Sequence, residues 1–242
     1  MRLDLYLAEN GYFQSRSKAQ SAIAEGHVFV NGQKIEKPKF DVDGSEKIEI
    51  ISFEKYVSRA GNKLSHALTE FNVNVNGLTV LDIGASTGGF TDCVLQNGAS
   101  YVYSLDVGRA QLADKLRSDS RVAVIEGFNA RNAKKDDFDK KIDIIVMDVS
   151  FISQTLIYEA CADILTSGKY MITLVKPQFE AGRKHIGKGG IVHDKDGSIL
   201  KEILAKLDSE AQKHGFTRIS FTESPIVGGD GNKEYLALFQ KI

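Results

Sequence analysis

The chain of 242 residues has only two cysteines, three prolines and no tryptophan. Cys93 and Cys161 cannot form a disulfide framework or a four-ligand zinc site, so no metal centre is expected and a reducing compartment is. No stretch approaches the ~18 uninterrupted apolar residues of a membrane helix. The longest candidates, such as YMITLV at 170–175, have the length of a buried strand. The opening residues MRLDLYLAENG lack the apolar run of a signal peptide, because Asp4 and Glu9 interrupt it. A cytoplasmic protein without membrane contact is the expectation. Charge of one sign is also missing: 31 Lys+Arg stand against 32 Asp+Glu, a net charge of −1. That balance excludes a protein that coats nucleic acid by bulk attraction, but not a local basic surface.

What is present is enough apolar material, 42% of residues, for a packed core. The length fits one large domain or a small one beside a medium one, since domains usually run to ~100–200 residues. The first fifty-odd residues read as a compact unit. RLDLYLAEN and SRSKAQSAIAEG have helical spacing, with Ser15 as N-cap of the second helix and Gly26 as its stop. HVFVNGQKI alternates around Asn31-Gly32, a strong hairpin signal, and KIEI at 47–50 is a further short strand. So small an α+β module cannot enclose a deep pocket.

SFEKYVSRA at 52–60 breaks the pattern and leads to a helix expected at 61–72. We place a first domain at 1–54, a linker at 55–58 and a second domain at 59–242. In the second domain, strands are expected at 79–83, 101–106, 122–126, 142–148 and 169–175, with helices between them, for example at 89–97 and 153–164. Near-continuous apolar strands of this kind form a parallel sheet covered on both faces, an α/β architecture. A long amphipathic helix is expected at 197–214, then strands at 216–222 and 234–240. The last two suit an antiparallel addition at the sheet edge.

LDIGASTGGF at 81–90 lies where a parallel sheet places its ligand, at the carboxyl end of the first strand. Its glycines differ from the dinucleotide GxGxxG spacing, and no Lys-Ser/Thr pair comes after it as in a phosphate-cradling loop. Asp82 beside the loop would repel pyrophosphate but suits a ligand bearing an ammonium group and hydroxyls. Asp106 ends the next strand, where a carboxylate typically holds ribose hydroxyls. DIGASTGGFTD with the later SLDVG resembles the cofactor region of S-adenosyl-L-methionine-dependent methyltransferases, which have a Rossmann-like, mostly parallel seven-stranded sheet. The resemblance implies that Gly84, Ala85, Ser86 and Gly88 line the methionine portion and that Asp106 holds the ribose. It also implies that Asp82 holds the loop and the amino group, with Phe128 or Asn129 near the adenine.

The end of the fourth strand narrows the methyl acceptor. DVSF lacks the Asn/Asp-Pro-Pro-aromatic tetrad common for amino-group acceptors. Neither cysteine has the Pro-Cys or Thr-Cys context of a ring-carbon methyltransferase. A hydroxyl acceptor needs a general base or strong local electrostatics, and Lys176 and Lys63 are candidates. Taken singly, Lys63 reads as a solvated helix residue and Glu234 as an edge-strand charge. YVSRAGNKL, DVSF, LVKPQFE and GGDGNKEYLALF together resemble the Lys-Asp-Lys-Glu tetrad of FtsJ/RrmJ-type ribose 2′-O-methyltransferases. Carried over, the tetrad is Lys63, Asp148, Lys176 and Glu234. Lys176 would be base or activator, Asp148 would orient it, and Lys63 and Glu234 would position the ribose.

RLDLYLAENGYFQSRSKAQSAIAEGHVFVNG resembles the S-four-type RNA-binding domain. That implies RNA contacts by Arg2, Arg16 and Lys18. The stretch from Lys176 to Lys195 also carries Arg183, Lys184 and Lys188 with few acids. It is glycine-rich and is expected to be a mobile loop clamping RNA. Both resemblances together match the TlyA family, known as hemolysins and as ribosomal RNA cytidine 2′-O-methyltransferases. The expected partners are therefore ribosomal RNA and ribosomal subunits. The alternatives are a hemolysin-like membrane-active protein and a non-catalytic ribosome-assembly RNA-binding factor. Oligomeric state is not legible.

Overall fold

The structure, a computed structural model, describes all residues except Gln14, Glu25, 51–54, Lys188 and Asp230. The chain divides into two units, Met1–Glu54 and Lys55–Ile242. In the first, α1 (Leu3–Glu9) and α2 (Arg16–Ala24) precede β1 (Val28–Val30), β2 (Gln33–Ile35) and β3 (Ile48–Ile50). Ser15 Oγ accepts the Lys18 N–H at 3.3 Å, the expected cap. Asn31 and Gly32 both have positive φ, as a two-residue hairpin turn needs. The sheet order is β2-β1-β3, all antiparallel. Leu3, Leu7, Ala19, Ile23, Val28 and Val30 close its core.

The second unit begins with α3 (Ala60–Glu70), then β4 (Thr79–Ile83), α4 (Gly89–Gln96), β5 (Tyr101–Asp106), α5 (Asp114–Arg117) and β6 (Val122–Glu126). It continues with β7 (Ile144–Met147), α6 (Tyr158–Ile164), β8 (Tyr170–Val175), α7 (Pro177–Glu180), α8 (Ser198–Lys213), β9 (Phe216–Glu223) and β10 (Tyr235–Lys241). These strands form one sheet of order β6-β5-β4-β7-β8-β10-β9. The first five are parallel, and β10 runs antiparallel between β8 and β9. Alternate residues feed two cores. Leu81, Ile83, Met147 and Val175 meet α6 and α8, whereas Val80, Val146, Ile172 and Leu174 meet α3 and α4. Burial on both faces is why these strands read as continuous apolar runs.

Three local departures from the sequence expectations have visible causes. The β6–β7 connection holds two short 3-10 turns, Ala130–Asn132 and Lys135–Asp137, rather than a helix. β7 is shorter than 142–148, and just before it the Asp143 carboxylate accepts the Thr79 N–H and the Lys169 ammonium. Residues 55–58, read as linker, are fastened to α4: Val57 N–H donates to Asp92 Oδ2 at 2.8 Å and Gln96 Nε2 to Lys55 O at 2.8 Å. Cys93 and Cys161 are fully buried core residues, and burial pushes the Cys93 thiol up to about 12.

Candidate active site

The loop after β4 turns under main-chain control. Gly84 N–H and Ala85 N–H both donate to Leu105 O, at 2.8 and 3.1 Å. Gly84 has φ +84, and a Cβ there would lie 2.3 Å from Asp148 O. Only glycine lets the loop pass this close to the end of β7. The loop, the ends of β5 and β6 and the segment after β7 enclose a cavity of about 600 Å³. Its walls include Gly84, Ser86, Asp106, Phe128, Asn129 and Asp148. That volume is ordinary for a small-molecule site. The Asp106 carboxylate is held by two amides, from Ser86 N–H at 2.8 Å and Gly108 N–H at 2.7 Å.

Ala85 lines a second, smaller recess instead. Asp82 and Gly88 line neither cavity. The expectation that Asp82 reaches the ligand's amino group is corrected accordingly: its side chain is wholly buried behind the loop. Asp82 Oδ2 accepts the Thr91 hydroxyl at 2.6 Å, and Oδ1 has no hydrogen-bond partner among the described residues. Burial, with the negative charges of Asp148 and Asp106, raises its pKa from 3.8 to about 7 despite the Thr91 bond. Below pH ~4 the group is protonated in both folded and unfolded chains and costs nothing. Between there and pH 7 the unfolded chain ionises first, so stability falls as pH rises, by on the order of 4 kcal/mol in all. Asp82→Asn should flatten this slope in urea unfolding measured at pH 5 and pH 8. A slope unchanged from wild type would show that Asp82 ionises normally.

The second recess, of about 180 Å³, is lined by Ser58, Ala60, Gly84, Asp148, Ser150 and Lys176, among others. Gly84, Ser86, Asp148 and Ser150 wall both spaces, so the two adjoin. Asp148 lies just past β7, where its N–H donates to Ile83 O at 2.9 Å. Lys176 ends the neighbouring β8, and Pro177 at once starts α7. The Lys176 ammonium donates to Ser150 Oγ at 2.8 Å. It also lies 2.5 Å from Asp148 Oδ1, a charge contact without hydrogen-bond alignment. Lys63 and Glu234 form a second ion pair, both buried, and line neither cavity. The four tetrad residues thus stand as two pairs. Neither Lys63 as a solvated helix residue nor Glu234 as a surface charge survives this burial.

Sequence reasoning carried only Asp148 from DVSF. Ser150, which accepts from Lys176, was missed. So was Phe151, 89% exposed at φ +66 on the cavity wall, with its ring 5.3 Å from that of Phe179. An exposed aromatic directly after an active-site strand was the available signal.

In the first unit, Arg2 and Arg16 do not stand clear as phosphate ligands. Arg2 donates to Asp4 at 2.9 and 2.8 Å, and Arg16 Nε donates to Asp4 Oδ2 at 2.9 Å. Gln20 adds a bond at 2.6 Å. Burial alone would raise the Asp4 pKa, but bonds from Arg2, Gln20 and Arg16 hold it well below the usual carboxylate range. The two guanidinium groups are part of the joint between α1 and α2 as well as candidates for RNA. Lys18 and Lys184 are exposed. Lys188 and the Arg183 side chain lie outside the described residues. The glycine-rich stretch is a small hairpin, with an Ile186–Val192 bridge and Gly187 N–H donating to Ile191 O at 2.8 Å.

Comparison with known proteins agrees with this geometry. Residues 56–241 match the family described as FtsJ-like methyltransferase, and residues 1–48 match the S4 domain. The chain is 49% identical to "Hemolysin A" of Brachyspira hyodysenteriae, over 99% of each protein. It is 38% identical to "16S/23S rRNA (cytidine-2'-O)-methyltransferase TlyA" of Mycobacterium tuberculosis, over 97% of this chain and 87% of the relative. A solved structure from Streptococcus thermophilus, 43% identical, matches 100% of this chain and 88% of its own with a TM-score of 0.79. An S-adenosylmethionine dependent methyltransferase from Mesorhizobium loti, 15% identical, shares the fold alone, with a TM-score of 0.53 over 72% of this chain and 96% of that one. Among the described residues no helix is long and apolar enough to cross a membrane. With its S4 domain at residues 1–48 and a methyltransferase match over nearly all the remainder, the chain belongs to the FtsJ-like methyltransferase family.

Proposed function

We propose that this protein is an S-adenosyl-L-methionine-dependent 2′-O-methyltransferase of cytidine in ribosomal RNA, acting in the cytoplasm on ribosomal subunits. The observation that carries the reading is the Lys176–Asp148 pair, set on adjacent strand ends in a recess that shares walls with the large cavity. The cavity fits the cofactor. Ile83, Leu105 and Phe128 offer apolar surface to a base, and the Asp106 carboxylate keeps acceptor capacity for ribose hydroxyls beyond its two amide bonds. When bound, the cofactor supplies a methyl group on a positively charged sulfur.

Lys176 has three donor positions, and contacts to Ser150 and Asp148 account for two. The third position becomes, in the neutral amine, the lone pair turned to the ribose 2′-hydroxyl. Gly84, Ser86, Asp106 and Phe128 would hold the cofactor, which would give its methyl group to the 2′-oxygen and keep the carbon–sulfur bonding pair. The hydroxyl proton passes to Lys176 in its neutral form, and Asp148 then stabilises the ammonium. Lys63 and Glu234 neutralise each other and keep their elements fixed at the site. Phe151 offers an exposed ring for the target base. In the first unit, Lys18 and the outer edges of Arg2 and Arg16 would take RNA phosphate, and the positive charges of Arg183, Lys184 and Lys188 would add to this in the second.

The test is transfer of labelled methyl from S-adenosyl-L-methionine to unmodified small and large ribosomal subunits. Alkaline hydrolysis of the product should leave the methylated dinucleotide uncleaved and place the label on a cytidine ribose. RNA binding without label would favour the assembly-factor reading. Leakage of liposomes by the purified protein, with no label transferred, would favour the membrane-active one.

A further inference from the structure

The turn before β10 holds two different structures at once. Its main chain closes around Glu234: Gly228 N–H donates to Asn232 O at 2.8 Å, and Ser224 N–H donates to Glu234 O at 2.9 Å. A Cβ at Gly228 would lie 2.5 Å from Glu234 Oε1, so glycine leaves room for the carboxylate in its pair with Lys63. The Asn232 side chain reaches the other way. Its Oδ1 accepts the Val192 N–H at 2.9 Å, and its Nδ2 donates to Gly190 O at 3.0 Å. Both partners are main chain of the 186–192 hairpin, and Asn232 is only 2% exposed. One neutral side chain that both accepts and donates is what this pair of bonds requires. An aspartate would set a second oxygen against Gly190 O, and an apolar residue would leave a part-buried N–H and C=O unpaired.

One residue, Lys233, separates this pin from Glu234. The hairpin it holds is flanked by Lys184 on one side and Lys195 on the other, both exposed. We propose that Asn232 is a positioning residue for methyl transfer. It fixes the stretch between Lys184 and Lys195 relative to the Lys63–Glu234 pair, so that RNA bound by these flanking lysines presents its ribose in register with the tetrad. The inference rests on the RNA 2′-O-methyltransferase reading. It assigns Asn232 no contact with cofactor or substrate.

The full-length protein is assayed with labelled S-adenosyl-L-methionine and unmodified ribosomal subunits, alongside calorimetric binding of the cofactor. Asn232→Ala should raise KM for subunits and lower kcat, each about tenfold, because small displacements of positioned groups cost rate steeply. Cofactor Kd should stay within about twofold, since Asn232 does not line that cavity. Val192→Pro removes the N–H that Asn232 accepts while leaving Asn232 itself. It should reproduce the KM rise, and it serves if Asn232→Ala folds poorly. In a background with Arg183, Lys184 and Lys188 changed to alanine, Asn232→Ala should add little further to KM, since its effect runs through the hairpin. An unchanged KM, a fully additive effect in that background, or an equal loss of cofactor binding would overturn the proposal. If the wild type methylates neither subunit, the underlying reading falls, and the positioning role falls with it.

Discussion

Lys176→Ala is expected to lower kcat for methyl transfer by about 10³-fold while leaving cofactor affinity within about twofold. A ribose hydroxyl is too weakly acidic to attack without help, and Lys176 is the basic side chain in the recess that adjoins the cofactor cavity. The side chain is about nine-tenths buried, anchored by Asp148 and Ser150, so water cannot readily stand in for the missing amine. Lys176→Arg should not restore the rate, because a guanidinium stays protonated and cannot accept the proton. Single-turnover incorporation of labelled methyl, with calorimetric binding of the cofactor, measures both quantities. A loss below about threefold in Lys176→Ala would remove Lys176 from the chemistry.

The second large effect is on stability as well as rate. Glu234→Ala leaves the Lys63 ammonium buried without its counter-charge, on a helix that packs against the sheet. Breaking one side of a buried pair costs about 3–5 kcal/mol. For a domain of this size each kcal/mol shifts Tm by roughly 2–4 °C, so a fall of about 6–20 °C is expected by calorimetry. Replacing both partners with apolar residues, Lys63→Met with Glu234→Leu, should recover most of that loss, since the desolvation cost of both charges disappears. Activity should stay low in the double variant if the pair also positions the ribose. Recovery of activity together with stability would make the pair purely structural.

Features with short-range causes were legible in the sequence. The strands of the large sheet arise from apolar runs between turn residues. The loop at 81–90 arises from glycines at a strand end, and the first hairpin from Asn31-Gly32. The tetrad expectation rested on four short motifs in a fixed order. How its members associate was not, because Lys63 and Glu234 lie far apart in the chain and only the antiparallel course of β10 brings them together. The ion pairs of Arg2 and Arg16 with Asp4 were hidden for the same reason. Asp4 looks like any acid on a short helix until packing buries it, and burial is what compels the nearby cations to turn inward. Ser150 was hidden inside a motif whose first residue alone drew attention. Asp82 carried the right residue type for the expected role, and its complete burial beneath the loop is a tertiary effect that its place at a strand end does not reveal.

The order β8-β10-β9 also sets a timetable for synthesis. The chain leaves the ribosome N-terminus first, so β9 emerges before the strand that must lie between it and β8. Until β10 arrives, β8 has an open edge, β9 has no neighbour to pair with, and Lys63 has no counter-ion. The strand that completes the sheet is the one that starts directly after Glu234. Docking of β10 therefore closes the sheet between β8 and β9 and completes the Lys63–Glu234 pair in one event, after the small N-terminal unit and the five parallel strands have been made.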